Sequence, residues 1–172
     1  MLKVEVTGAT NLPDVDKFSG KSDPYAVVRF QGQEQKTDVR EDELNPTWNK
    51  EFQYDLNGQK LSPQETLLIK VKDYEKIAPN RLLGSATVPL KNLVRSKNNS
   101  LKIEVGLLDG EQRPTLVSYH PGMIAFPLSS VGEPFSFYVC GGYRYYLYST
   151  VLSVVLFSNR SLTQARSTRR RL

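Results

Sequence analysis

Cysteine and histidine are almost missing from this chain. The single cysteine, Cys140, cannot form an internal disulfide, so nothing calls for an oxidising compartment. The single histidine, His120, removes most zinc sites and any histidine-based triad. There is no glycine-rich phosphate loop, and no nucleophile has a histidine beside it, so no catalytic residue and no enzymatic activity are expected. The start, Met1-Leu2-Lys3-Val4-Glu5-Val6, lacks the apolar core of a signal peptide, and cytosolic folding is the expectation. A basic stripe across the domain is missing too. Residues 1–115 hold 17 Lys+Arg and 17 Asp+Glu, and the net charge of +5 arises wholly in residues 116–172. A nucleic-acid partner is therefore not expected.

What the first 105 residues do contain is alternation. Leu2, Val4 and Val6 alternate with Lys3, Glu5 and Thr7, and Phe52, Tyr54 and Leu56 with Glu51, Gln53 and Asp55. Leu67, Ile69 and Val71 oppose Lys70 and Lys72, and the stretches 83–90 and 101–105 repeat the pattern. Period two puts such side chains alternately into core and solvent. The nearly continuous apolar run Tyr25 to Phe30 suits a strand covered on both faces, and the polar stretch Glu34 to Arg40 suits an outer strand. Lys91 to Arg95 has room for one helical turn. About seven strands at short spacing predict an all-β antiparallel sandwich that wants an eighth.

Two acidic clusters follow strands. Asp14-Val15-Asp16 precedes Asp23, and Asp73-Tyr74-Glu75 comes directly after the strand 66–71. A sandwich can bring both to one tip, where gathered carboxylates repel one another unless a cation sits among them. Irregular acidic loops suit Ca2+, with its six to eight oxygen ligands, better than magnesium or a transition metal. The plainer reading makes these acids solvated turn formers. Phe18, Ile77 and Ala78 are apolar residues beside the acids, and Lys17, Lys21, Lys72 and Lys76 surround them. Lys36, Arg40 and Lys50 form a weaker basic group, interleaved with Asp38 and Glu51.

Three motifs occur in order: Ser22-Asp23-Pro24-Tyr25, Asn45-Pro46-Thr47-Trp48-Asn49, and Asp73-Tyr74-Glu75 with Leu83-Gly84 downstream. Together they resemble the C2 domains known from protein kinase C and the synaptotagmins. Glu43-Leu44-Asn45-Pro46-Thr47-Trp48-Asn49, Asp55-Leu56-Asn57-Gly58, Asn80-Arg81-Leu82-Leu83-Gly84 and Leu107-Leu108-Asp109 are similar to the first C2 domain of the ferlins, tail-anchored proteins of membrane fusion and repair. The resemblance spans residues 1 to about 115. It implies an eight-stranded sandwich of the second C2 topology, a place on the cytoplasmic face of plasma membrane or vesicles, and calcium-dependent binding to anionic phospholipid membranes. It assigns Asp16, Asp23, Asp73 and Glu75 to calcium, with Asp14 as a substitute, and Phe18, Ile77, Lys17 and Lys76 to membrane contact. Arg81 stands where the family has its last acidic ligand, so one good calcium site, or two weak ones, is expected rather than three. The alternatives are a calcium-independent C2 domain that binds protein partners, and a regulatory fragment of a larger enzyme.

The expected domain ends near residue 120. Thr115 to Tyr119 reads as a shortened last strand, and residues 121–172 as a hydrophobic and basic tail foreign to the sandwich. Within it Phe135 to Phe157 spans 23 residues, long enough to cross a bilayer, although Arg144 and many tyrosines interrupt it. The expectation is a tail that does not belong to the domain, with membrane anchoring as the other reading, in a chain that is a fragment of something larger.

Overall fold

The computed structural model describes residues 1–16, 20–111, 137–140, 143–146 and 150–158. Ten strands appear in chain order: β1 (Leu2–Thr10), β2 (Pro24–Phe30), β3 (Gln33–Lys36), β4 (Thr47–Tyr54), β5 (Thr66–Asp73), β6 (Arg81–Pro89), β7 (Ser100–Gly106), β8 (Phe137–Cys140), β9 (Tyr143–Tyr146) and β10 (Val151–Ser158). One helical turn, α1 (Lys91–Arg95), lies between β6 and β7. Two antiparallel four-stranded sheets have the orders β4-β1-β10-β7 and β3-β2-β5-β6, and β8 pairs with β9 as a separate hairpin. The first and last strands of the sandwich, β1 and β10, are neighbours in the first sheet.

The alternation predicted from sequence is the alternation of burial. Leu2, Val4 and Val6 of β1 and Leu67, Ile69 and Val71 of β5 are fully buried and face one shared core. β2 is covered on both faces, since Tyr25, Ala26, Val27 and Val28 are all buried in succession. β3 is an outer strand, paired only through β2. A phenol ties the sheets together: Tyr54 on β4 donates its hydroxyl to the Val28 carbonyl of β2 at 2.9 Å, with its ring edge-on to Phe30.

Two bulges shape the end of the sandwich where the acidic loops lie. In β1 the register slips between Val6 and Gly8. A Cβ on Gly8 would lie 2.5 Å from the Pro46 carbonyl oxygen, so glycine is needed for the Asn45-Pro46 turn to pack there. In the β5–β6 ladder Val71 faces Gly84 but Lys72 faces Leu82, leaving Leu83 as the extra residue. The bulge buries Leu83, turns Leu82 outward and sets Arg81 opposite Asp73.

The end of the chain departs from expectation. Residues 115–119 lie outside the described residues, and the slot between β1 and β7 is filled by β10. Its ladder with β1 runs from Leu2↔Ser158 to Thr10↔Val151, and that with β7 from Val151↔Gly106 to Phe157↔Ser100. Leu152, Val154 and Leu156 are fully buried in the core, each contributing roughly 1.5–3 kcal/mol. The Thr150 hydroxyl donates to the Asn11 carbonyl at 2.7 Å, and Ser158 N–H to the Asn99 carbonyl at 2.9 Å, pinning both ends of the strand. The sandwich therefore includes Val151–Ser158, which lie beyond the expected boundary at 120 and within the stretch read as a tail, while the shortened last strand expected at 115–119 lies outside the described residues. The stretch 135–157, whose other reading is a membrane anchor, takes up strands where it is described. That stretch contains β8, β9 and most of β10, and no helix among the described residues is long and apolar enough to cross a membrane.

Candidate functional site

Three loops meet at the Asp73 end of the sandwich: the one between β1 and β2, the one between β3 and β4, and the one between β5 and β6. Asp73 is the last residue of β5, and its side chain is 0% exposed. Its Oδ1 accepts the Asp23 N–H at 2.7 Å, and Tyr74 N–H donates back to the Asp23 carbonyl at 3.0 Å, fastening the first loop to the third. Ser22 supports the first loop from within, donating its hydroxyl to the Pro13 carbonyl and accepting the Val15 N–H. In the third loop Asn80 accepts the Glu75 N–H at 2.9 Å and donates to the Tyr25 hydroxyl at 2.7 Å.

This framework gathers Asp16, Asp73 and Glu75, one oxygen of each lying within 4.8 Å of the others. Asp14 and Asp23 fall outside that group. The Asp14 carboxylate accepts the Asp16 N–H at 3.2 Å in a local turn. Asp23 Oδ1 accepts the Asp42 N–H at 2.8 Å and so holds the second loop, while Asp42 Oδ1 accepts the Lys21 N–H at 2.8 Å. Lys17 and Phe18 lie outside the described residues. Ile77 is 100% exposed at the crest of the third loop, next to exposed Lys76 and two residues from Glu75. The weaker basic group is engaged in local contacts: Lys50 pairs with Asp38 at 3.6 Å and Arg40 Nε donates to the Thr47 carbonyl.

Sequence reasoning noted the charge of Arg81 but not its reach. One guanidinium nitrogen, Nη2, pairs with all three gathered carboxylates, at 2.7 Å from Asp73 and in close contact with Asp16 and Glu75, while Nη1 donates to the Val15 carbonyl. Burial pushes the Asp73 carboxyl above the ordinary carboxylate range and the Asp16 charge adds to this, whereas the Asp23 N–H and Arg81 pull it down. Burial also opposes charge on Arg81, but its bonds to Asp16 and Asp73 and the Glu75 charge hold its pKa above the ordinary value. The guanidinium stays ionised as the cluster's counter-ion. Three carboxylates and a backbone carbonyl are hard oxygen donors, the chemistry that calcium takes. The donors fit such an ion in kind, but the guanidinium already spans them.

A sandwich of this order with an acid-lined tip defines a C2 domain. The C2 domain family model matches residues 1–105, and the chain belongs to that family. Mouse (Mus musculus) myoferlin is 46% identical over 101 residues, 59% of this chain and 5% of that protein. Human (Homo sapiens) myoferlin is 38% identical over 134 residues, 74% of this chain and 6% of that protein, so the chain spans only a small part of either. Among solved structures, a C2 domain of plant extended synaptotagmin 1 covers 90% of each chain with a TM-score of 0.59 at 20% identity. The paired C2 domains of extended synaptotagmin 2 in a calcium-bound form match 91% of this chain and 44% of that one, with a TM-score of 0.57 at 19% identity. These two likenesses bear on the fold alone.

Proposed function

We propose that the chain is a peripheral membrane-binding module that docks the tip formed by its three loops on anionic phospholipid, serving fusion or repair within a ferlin-like protein. The observation that carries this reading is Ile77. A fully exposed isoleucine at the crest of a loop has an apolar destination if that crest enters a bilayer, and exposed Lys76 beside it suits anionic head groups, worth about 1 kcal/mol near such a surface. Calcium is the proposed trigger. Asp16, Asp73 and Glu75 would hold it, with the Val15 carbonyl in reach, and the ion would cancel negative charge that otherwise repels lipid.

A second reading, docking without calcium, is favoured by the pairing of Arg81 with the same three carboxylates. Co-sedimentation with phosphatidylserine vesicles, in calcium and in chelator, separates the two. Calcium-triggered docking predicts binding in calcium alone and a loss of about tenfold or more for Ile77→Asp, since a charge replaces an inserting apolar group. Equal binding in calcium and chelator would favour the second reading. Absence of binding in both would defeat the membrane function.

A further inference from the structure

We infer that Arg81 is a tethered, exchangeable cation: it closes the carboxylate cluster when calcium is absent, and on calcium entry its guanidinium turns outward to bind a lipid phosphate. This deepens the calcium-triggered reading and rests on it. Three features support exchange. The guanidinium Nη atoms contact Asp16, Asp73, Glu75 and the Val15 carbonyl, the same oxygens a calcium ion would use, so the two cations exclude each other. The Arg81 side chain is 39% exposed, which leaves it a route to solvent, whereas Asp73 is fixed and fully enclosed. In the closed position Arg81 Nε is buried with no hydrogen-bond partner among the described residues, a cost that outward rotation relieves.

Charge gives the exchange its consequence. Three carboxylates against one guanidinium leave the closed cluster with a net charge of minus two, still attractive to a divalent ion. Calcium brings that total to zero while the displaced guanidinium carries its positive charge to the rim, beside Lys76 and Ile77. An arginine fork is well shaped for phosphate. Phosphate at the rim then stabilises the open arrangement, so anionic lipid must raise calcium affinity by the factor by which calcium raises lipid affinity.

The test is a calorimetric calcium titration of the full chain and of Arg81→Gln, each alone, with phosphatidylserine vesicles, and with the soluble head group glycerophosphoserine at equal phosphate concentration. The wild-type chain should bind calcium weakly alone and about tenfold more tightly with vesicles. Arg81→Gln should bind calcium about tenfold more tightly than wild type without lipid, and vesicles should then add little. Thermal melting supplies a second measure. The variant should melt lower without calcium, because Asp73 loses its partner, and gain more from calcium than wild type does. A folded variant that binds calcium no more tightly than wild type overturns the inference. So does a variant that stays unfolded at saturating calcium, which would make Arg81 a fixed structural pin. Tighter binding with an undiminished vesicle effect overturns the phosphate half, and an equal effect of the soluble head group overturns the membrane as its source. If neither protein binds calcium but both bind vesicles in chelator, the calcium reading itself fails.

Discussion

The two sheets of the sandwich reach similar order from very different stretches of sequence. In β3-β2-β5-β6 every strand lies between residues 24 and 89, and each has a turn or loop signal at its ends. In β4-β1-β10-β7 a central position is taken by a strand that arrives only after the long connection from Gly106 to Val151. Both sheets nevertheless bury a strand's inward face completely, Leu67, Ile69 and Val71 in one and Leu152, Val154 and Leu156 in the other. Membership of a core depends on where the alternation lands, and chain continuity is no guide to it.

The largest test of that equivalence is Val154→Asp. An unpaired carboxylate in the fully buried centre of β10 should unfold the domain, a loss of about 4 kcal/mol or more, read as absence of a cooperative urea transition. A folded variant would show that β10 is dispensable. Leu156→Ala and Ile69→Ala make the comparison quantitative. Each should cost about 2–5 kcal/mol in urea denaturation, and a much smaller value for Leu156 would break the parity of the sheets.

Tyr54→Phe probes the link between the sheets and should cost about 1 kcal/mol, since the Val28 carbonyl loses a buried donor. Burial raises the Tyr54 pKa above that of a free phenol, with the Glu34 charge adding to it. The folded state therefore holds this proton more tightly than the unfolded state. Stability should fall as pH rises above about 10, where the unfolded phenol ionises first. Urea midpoints between pH 9 and 11 should drop more for wild type than for Tyr54→Phe, and equal slopes would contradict the assignment. The smallest effect is expected from Thr150→Val, which removes one hydrogen bond at the entry to β10 and should cost about 0.5–1.5 kcal/mol by the same denaturation assay.

In the sheet made of β3, β2, β5 and β6, β5 was legible because Lys70 and Lys72 separate its apolar residues, and β2 because its apolar run is short and bounded by Pro24 and the Gln31-Gly32 turn. β10 was not, because both of its faces are apolar: Val151, Val155 and Phe157 on the half-buried outer side hide the alternation of Leu152, Val154 and Leu156. Composition then suggested a bilayer-length segment where a period of two was present. At the tip, the gathering of Asp16, Asp73 and Glu75 followed from loops placed at the end of a sandwich. The separate fates of Asp14 and Asp23 did not, since an acid's direction depends on which backbone N–H it accepts, and those donors come from residues 16 and 42. Arg81 looked like a missing ligand in the sequence. Its role as counter-ion depends on the bulge at Leu83, which sets it opposite Asp73, and residue types alone do not encode a bulge.

The position of β10 also orders the events of folding. The contacts of β5 with β6, and of β2 with β3, join near neighbours in sequence and can form as soon as short loops close. The pairing of Leu2 with Ser158 joins nearly the two ends of the described chain, and its loop-closure entropy must be met before any of its contacts is made. The sheet containing β1 should therefore remain open after the other has formed, with the facing edges of β1 and β7 unpaired until β10 arrives. During that interval the chain is most exposed to mispairing with another strand, and folding yield should be governed by how fast the last strand finds its slot.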